Sequence, residues 1–347
     1  VTTSLRVNND VGVAEFIEIA QLAESLGFDQ IWISNDLFLR SAPVVLAAAA
    51  RHTRSISLGT CILNPYSIHP AEIAMMAATL QEVSAGRFLL GLAAGAEEFL
   101  GWAGIPRPAP LARTRDAVIA IRALLAGGRP ADRIASAGWT EGAYRRIRTS
   151  PVPIYLGGMS PRMLGLAGEI ADGVLPLLFP PEHFAVAAAQ VRAGAERVGR
   201  RVDDLDLAAC IWCSIDADGD RARRALAEKI AYYGPSFAPY LLARAGLTLA
   251  DFDDIRRATQ SGQPAEAARL VTPAMLSLGI AGGADDVLTR CRGLAALGAR
   301  HLSFGAPLGP DPARAVRALG TLVLPPLRGP QAATGTPLKG RLHAEAE

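Results

Sequence analysis

Eight short apolar runs, separated by amphipathic stretches, recur along almost the whole chain, and that alternation leaves few ways to fold. The runs are Ser4 to Val7, Gln30 to Ser34, Ser55 to Thr60, Phe88 to Leu92, Ile154 to Leu156, Gly173 to Leu177, Leu205 to Trp212 and His301 to Phe304. Strands that alternate with helices imply βα units around a parallel sheet. The stretch Val13 to Leu26 sets Phe16, Ile19, Ala20, Ala23 and Leu26 on one stripe, with Glu15, Glu18 and Glu24 off it, and Gly27 follows as a helix stop. Pro43 to Arg51, Pro70 to Val83, Leu111 to Leu125, Pro161 to Gly168, Pro181 to Val198, Asp285 to Leu297 and Asp311 to Leu322 behave alike, several with a proline at or near the first helical position. Eight such units predict a (β/α)8 barrel, whose chemistry belongs at the C-terminal ends of the strands.

At 347 residues and 50% apolar content, one barrel over residues 1–327 accommodates the chain. Two interruptions stand out: residues 127–150, expected to fold over the mouth or its outer edge, and the mostly helical 216–281 after the seventh strand, expected to shape the substrate pocket. From Arg328 to Glu347 the lack of periodicity predicts a disordered tail. The 35 basic and 33 acidic residues are dispersed, which argues against a nucleic-acid partner and for a small molecule. No run reaches about 18 uncharged apolar residues, and no secretory signal pattern opens the chain, so a soluble cytoplasmic protein away from membranes is expected. Cys210 and Cys213 form a C-x-x-C inside a strand, where side chains three apart face opposite sides; with no second pair nearby, no metal set is expected.

Six segments, in order, carry a likeness. They are Gly27-Phe28-Asp29-Gln30-Ile31-Trp32-Ile33-Ser34-Asn35-Asp36, Leu58 to Tyr66 with His69-Pro70, Gly86-Arg87-Phe88-Leu89-Leu90-Gly91-Leu92, Pro153-Ile154-Tyr155-Leu156-Gly157-Gly158-Met159-Ser160-Pro161, Ala167 to Gly173, and Gly305 to Asp311. Together they resemble the luciferase-like oxidoreductase superfamily, most closely the branch related to methylenetetrahydromethanopterin reductase, which uses the deazaflavin coenzyme F420. The resemblance implies a barrel mouth that holds an isoalloxazine-like ring, and a homodimer.

It also implies roles. Asn35 and Asp36, just past the second strand, stand where the family keeps a polar pair near the ring; Asp36 is a candidate catalytic carboxylate, and helix capping is the alternative for one of the two. Cys61 and Ile62 stand where the family has a non-proline cis peptide that supports one face of the ring, and Asn64 on the next turn is a candidate cofactor contact. Gly157, Gly158, Met159 and Ser160 lead into a helix that starts at Pro161, and glycines with exposed N–H groups at a helix start suit a phosphate. Ser160 also suits a simple N-cap, and Arg162 either the cofactor tail or solvent. His69 is a candidate catalytic contact or a cap residue. The reductase branch carries acids where Arg6 and Ala96 stand, and Glu97 is the candidate replacement, with a solvated loop charge as the alternative. The leading reading is F420-dependent hydride transfer to a small organic substrate. Its rivals are an FMNH2-dependent monooxygenase that uses oxygen, and a barrel that has lost catalysis and serves as a binding protein.

Overall fold

The computed structural model describes residues 1–134 and 138–329. Nine strands occur among them: β1 (Thr2–Val7), β2 (Gln30–Ile33), β3 (Ser57–Thr60), β4 (Phe88–Leu92), β5 (Ile154–Gly157), β6 (Gly173–Leu175), β7 (Asp206–Ile215), β8 (Ile280–Gly282) and β9 (His301–Leu308). Each of β1 to β6 pairs in parallel with the next, β6 pairs with β7, β7 with β9 and β9 with β1, so eight strands close into a barrel. The eight runs read from the sequence are these eight. The ninth strand was not foreseen: three residues at the end of the second interruption pair with the far end of β7, from Cys213 opposite Ile280 to Ile215 opposite Gly282. A three-residue strand carries too little periodicity to stand out from a loop.

Side chains alternate across the barrel wall, as a pleated strand requires. Outward residues such as Leu5, Ile31, Ile33, Leu58 and Phe304 meet the helices in one continuous core. Inward residues form a second layer of Trp32, Leu89, Tyr155, Leu175, Ala208 and Cys210. Room for it comes from glycines: a Cβ on Gly59 would strike the Trp32 ring, and one on Gly173 the Tyr155 ring. The C-x-x-C is split as the strand period demands, Cys210 in the barrel interior and Cys213 in the outer core, both free thiols.

The helix Val13–Ser25 ends where Gly27 takes φ 78°, a conformation that suits glycine. The 216–281 segment builds a core of its own around Phe252, Leu226, Ile230, Leu242 and Met275, joined to the barrel through Trp212 and Phe179. Because it leaves from the C-terminal end of β7, this core sits over the mouth. The 127–150 segment links a helix to β5, and its Trp139 ring lies 5.1 Å from the exposed His69. Arg328, where a tail was expected to start, instead closes the helix Leu324–Arg328 and pairs with Asp29 at 2.9 Å. Residues 330–347 lie outside the described residues. No described helix is long and apolar enough to cross a membrane.

Candidate active site

Five strand ends and one helix converge on a cavity of about 60 Å³ at the mouth. Arg6, Val7 and Asn8 come from the end of β1, Ser34 follows β2, Cys61 follows β3, Trp212 lies on β7 and Ala306 on β9. Lys229 reaches in from the helix Gly219–Tyr233 of the second interruption. Ordinary ligand pockets run to roughly 300–1,000 Å³, so this is a deep recess for one small group of a larger ligand. A larger groove, about 270 Å³, lies between the outer helices and is rimmed by Glu15, Glu18 and Asp311, away from the barrel interior.

Arg6 is clamped. Its Nη2 donates to the Ile211 carbonyl at 2.7 Å and the Ser303 carbonyl at 3.3 Å, and its Nε donates to Ser303 Oγ at 3.1 Å. Gly305 makes the space, because a Cβ there would sit 2.5 Å from Arg6 Nη2. From Ser303 a line of polar groups continues down the interior: Ser4 Oγ lies 2.8 Å from both Ser303 Oγ and His301 Nε2, and His301 Nδ1 lies 2.9 Å from Asp206. Tyr155 and Gln30 also donate to Asp206, at 2.7 and 3.2 Å. Burial alone would raise this carboxyl, but His301, Tyr155 and Gln30 together hold it below the usual range. The order Ser4, His301, Asp206 is that of a nucleophile triad, yet Ser4 is fully buried at the barrel floor, so it carries structure and no chemistry.

At the mouth the balance runs the other way. Lys229 Nζ sits 5.2 Å from the Trp212 ring centre and 5.1 Å from that of Tyr233. Burial, then the Arg6 charge, pull its pKa down to about 8 against the opposing pull of Asp10 and Asp36. Asp36 is raised, mainly by burial, with Ser34 and Lys229 acting against the rise. Its loop is pinned by fully buried Asn9, whose Nδ2 donates to the Asp36 and Arg40 carbonyls at 3.0 and 2.7 Å. Phe179, Trp212, Tyr233 and Phe237 form an aromatic wall beside the lysine, with Phe179 and Trp212 4.6 Å apart.

On the opposite side, the Cys61–Ile62 peptide is cis, as the resemblance implied. Burial pushes the Cys61 thiol up to about 12, which keeps it protonated and removes it as a thiolate nucleophile. Gly157 brings the end of β5 against this turn: a Cβ there would lie 3.2 Å from Ile62 and 3.4 Å from Ala93. Asn64 Oδ1 accepts from the Tyr66 and Ser67 N–H groups, and its side chain lies under Gly95. Ser160 caps the helix Pro161–Ile170 by accepting from Met163 N at 3.3 Å, and a Cβ on Gly158 would meet Met163 at 2.6 Å. Arg244, from the second interruption, donates to the Met159 carbonyl at 3.0 Å and so roofs the glycine turn.

Three expected site residues make contacts away from the recess. Asn35 Oδ1 accepts from Ala42 N at 3.0 Å and holds the start of the helix Ala42–His52, so the capping reading holds there and Asp36 is left as the polar group toward the mouth. Glu97 pairs with Arg107 at 2.8 Å with its side chain 79% exposed, and does not line the cavity. Glu97 opens the helix Glu97–Trp102, where a carboxylate in the first turn suits the exposed N–H groups and an arginine in reach completes its pairing. His69 is exposed and caps the helix Pro70–Val83, its Nδ1 accepting from Ala71 N at 3.2 Å. Sequence reasoning missed Lys229, Trp212 and Asn9. One signal was present: of the 35 basic residues only Lys229 and Lys339 are lysines. Where arginine is otherwise used throughout, a lysine marks a place where a compact or titrating cation is wanted.

A parallel barrel with a charged recess, an aromatic wall and a glycine turn at its C-terminal mouth defines a barrel enzyme that binds an extended cofactor. The chain belongs to the luciferase-like monooxygenase family, whose model matches residues 2–301. It is 34% identical over 317 residues to 5,10-methylenetetrahydromethanopterin reductase of Methanolobus tindarius, covering 90% of this chain and 96% of that one. It is 32% identical to F420-dependent glucose-6-phosphate dehydrogenase of Nakamurella multipartita, covering 91% and 93%. Among solved structures, the coenzyme F420 dependent tetrahydromethanopterin reductase from Methanopyrus kandleri superimposes with a TM-score of 0.88 at 31% identity, over 93% of this chain and 98% of that one. The protein is an oxidoreductase of this family.

Proposed function

We propose that this chain is an F420-dependent oxidoreductase that moves a hydride between the deazaflavin ring and a carbon of a small organic substrate at the barrel mouth. The observation that carries the reading is that the Cys61–Ile62 turn and the Gly157–Ser160 turn meet through Gly157, forming one continuous surface beside the charged recess. The donor set fits the cofactor: positions 157 and 158 are spaces a Cβ would fill, and the N–H groups at the start of Pro161–Ile170 together with Arg244 suit a phosphate. Ile62, Cys61 and Asn64 would back the ring, with Met159 and Ser160 along its tail. When bound, the deazaflavin supplies or receives the hydride. Asp36, raised by burial and within the field of Lys229, is the carboxyl that would exchange the proton that accompanies it.

The relatives' pterin substrate is left out of this proposal, because the resemblance implies acids at the positions of Arg6 and Ala96. The family model is described as a monooxygenase, and reduced FMN with oxygen is therefore the second reading. We further propose a homodimer, in which the exposed Phe38 and Trp102, their rings 6.4 Å apart, mark an unshielded aromatic patch. Anaerobic titration of the purified protein with F420 and, separately, with FMN, read by fluorescence quenching, tests the cofactor. Tight F420 binding with weak FMN binding supports hydride transfer; preference for FMN moves the protein to oxygen chemistry.

A further inference from the structure

We infer that the recess at the mouth is a carboxylate pocket, in which Arg6 and Lys229 grip the acid group of an unsaturated or carbonyl-bearing organic acid. This names the substrate class of the site described above and rests on that reading only for the identity of the hydride carrier.

The charged residues that line the recess are these two cations and no anion. Asp36 and Asp10 lie near enough to act on Lys229 electrostatically, but among the described residues no carboxylate comes within the 4.0 Å of an ion pair with either cation. Lys229 has no hydrogen-bond acceptor among the described residues, only the two ring faces, and Arg6 keeps its Nη1 donors while Nε and Nη2 are tied to β7 and β9. A clamped guanidinium and a partly buried ammonium that line one recess call for an acceptor that brings negative charge. At about 60 Å³ the recess is of a size to seat a carboxylate. Two cations at the acid group also draw electron density from the neighbouring carbons. For an α,β-unsaturated acid, a bound reduced deazaflavin would supply the hydride that forms the β C–H bond as the double bond opens, and Asp36 would supply the proton that the α carbon takes.

The chain has only two lysines, so protein labelled with [13Cε]-lysine gives one signal from Lys229 and one from Lys339. Crotonate is the probe and crotonamide its neutral control. Crotonate is expected to shift the Lys229 signal, leave Lys339 in place, and raise the Lys229 titration midpoint above about 8 by roughly half a unit or more, because an anion favours the charged form. Crotonamide is expected to do neither. Lys229→Met and Arg6→Met are each expected to weaken crotonate binding by roughly tenfold or more in calorimetry, and the wild-type spectra keep the test valid if Arg6→Met fails to fold. An unmoved Lys229 signal, equal responses to crotonate and crotonamide, or Lys229→Met that weakens F420 binding and leaves crotonate binding alone would each overturn the proposal, the last by assigning the recess to the cofactor. Failure of F420 to bind while crotonate still moves Lys229 would sink the cofactor reading and leave the carboxylate pocket standing.

Discussion

The floor and the mouth of the barrel are built from the same strands and bury charge to similar depth, yet they treat it in opposite ways. At the floor, Asp206 receives His301, Tyr155 and Gln30, and Trp32 in turn donates to Gln30 at 3.0 Å, so every charge has fixed partners. The network stabilises the ionised carboxylate. At the mouth, Lys229 and Asp36 are pushed toward their neutral forms, and Lys229 has no acceptor. Paired polar groups inside a barrel specify the fold, whereas burial without partners points to a ligand that completes the set.

The sharpest way to break this contrast is to remove one partner at each end. His301→Ala is expected to destabilise the protein by about 1–3 kcal/mol in urea unfolding, because it removes one of the three groups that hold Asp206 and leaves buried Ser4 without its ring partner. Lys229→Met is expected to leave stability unchanged or raise it, since it removes a desolvated cation with no partner. Equal losses at both ends would erase the distinction. Next in size, Gly157→Val is expected to weaken F420 binding at least tenfold, about 1.4 kcal/mol, by filling the space between the two turns; unchanged quenching titrations would separate the glycine turn from the cofactor.

The pH response should differ in sign as well as in range. Asp206 is depressed in the folded state, so its contribution is present above the unfolded carboxylate pKa and is lost as pH falls through the folded value. Lys229 is also depressed, to about 8, and the folded state binds fewer protons than the unfolded one between there and roughly 10.4. Stability is therefore expected to rise with pH across that window, and Lys229→Met should abolish the rise. The smallest effect concerns the neighbouring pair: Asn35→Ala is expected to cost about 1 kcal/mol as a lost cap, with no change in F420 affinity. The proposed dimer is checked by light scattering, where a mass of one chain, 36.4 kDa, would refute it.

The barrel itself was legible because its signal is local. Apolar runs of three to eight residues and helices with proline starts and glycine stops declare themselves within a short window, and the turns at 61–64 and 157–160 lie directly after strands that such windows locate. The Ser160 cap and the alternative reading of Asn35 were likewise readable from neighbours. Lys229 was not: it sits in GDRARRALAEKIAYY among arginines and glutamates, where an amphipathic helix reads as a solvated face. Nor could Glu97 be dismissed, because its partner Arg107 is ten residues away across an irregular loop.

By itself, then, the sequence determined which segments are strands and helices, that they close a parallel barrel, and which turns flank its mouth, since these follow from side-chain period and backbone preference over a few residues. Only the tertiary structure decided which charges are paired. Ser4 and His301 meet across 297 residues of chain and Arg6 and Ile211 across 205, and Lys229 is delivered to the recess by a helix whose position depends on how a separate apolar core docks against Trp212 and Phe179. Whether a buried charge finds a partner is set by where the whole barrel places its neighbours, and no local pattern carries that information.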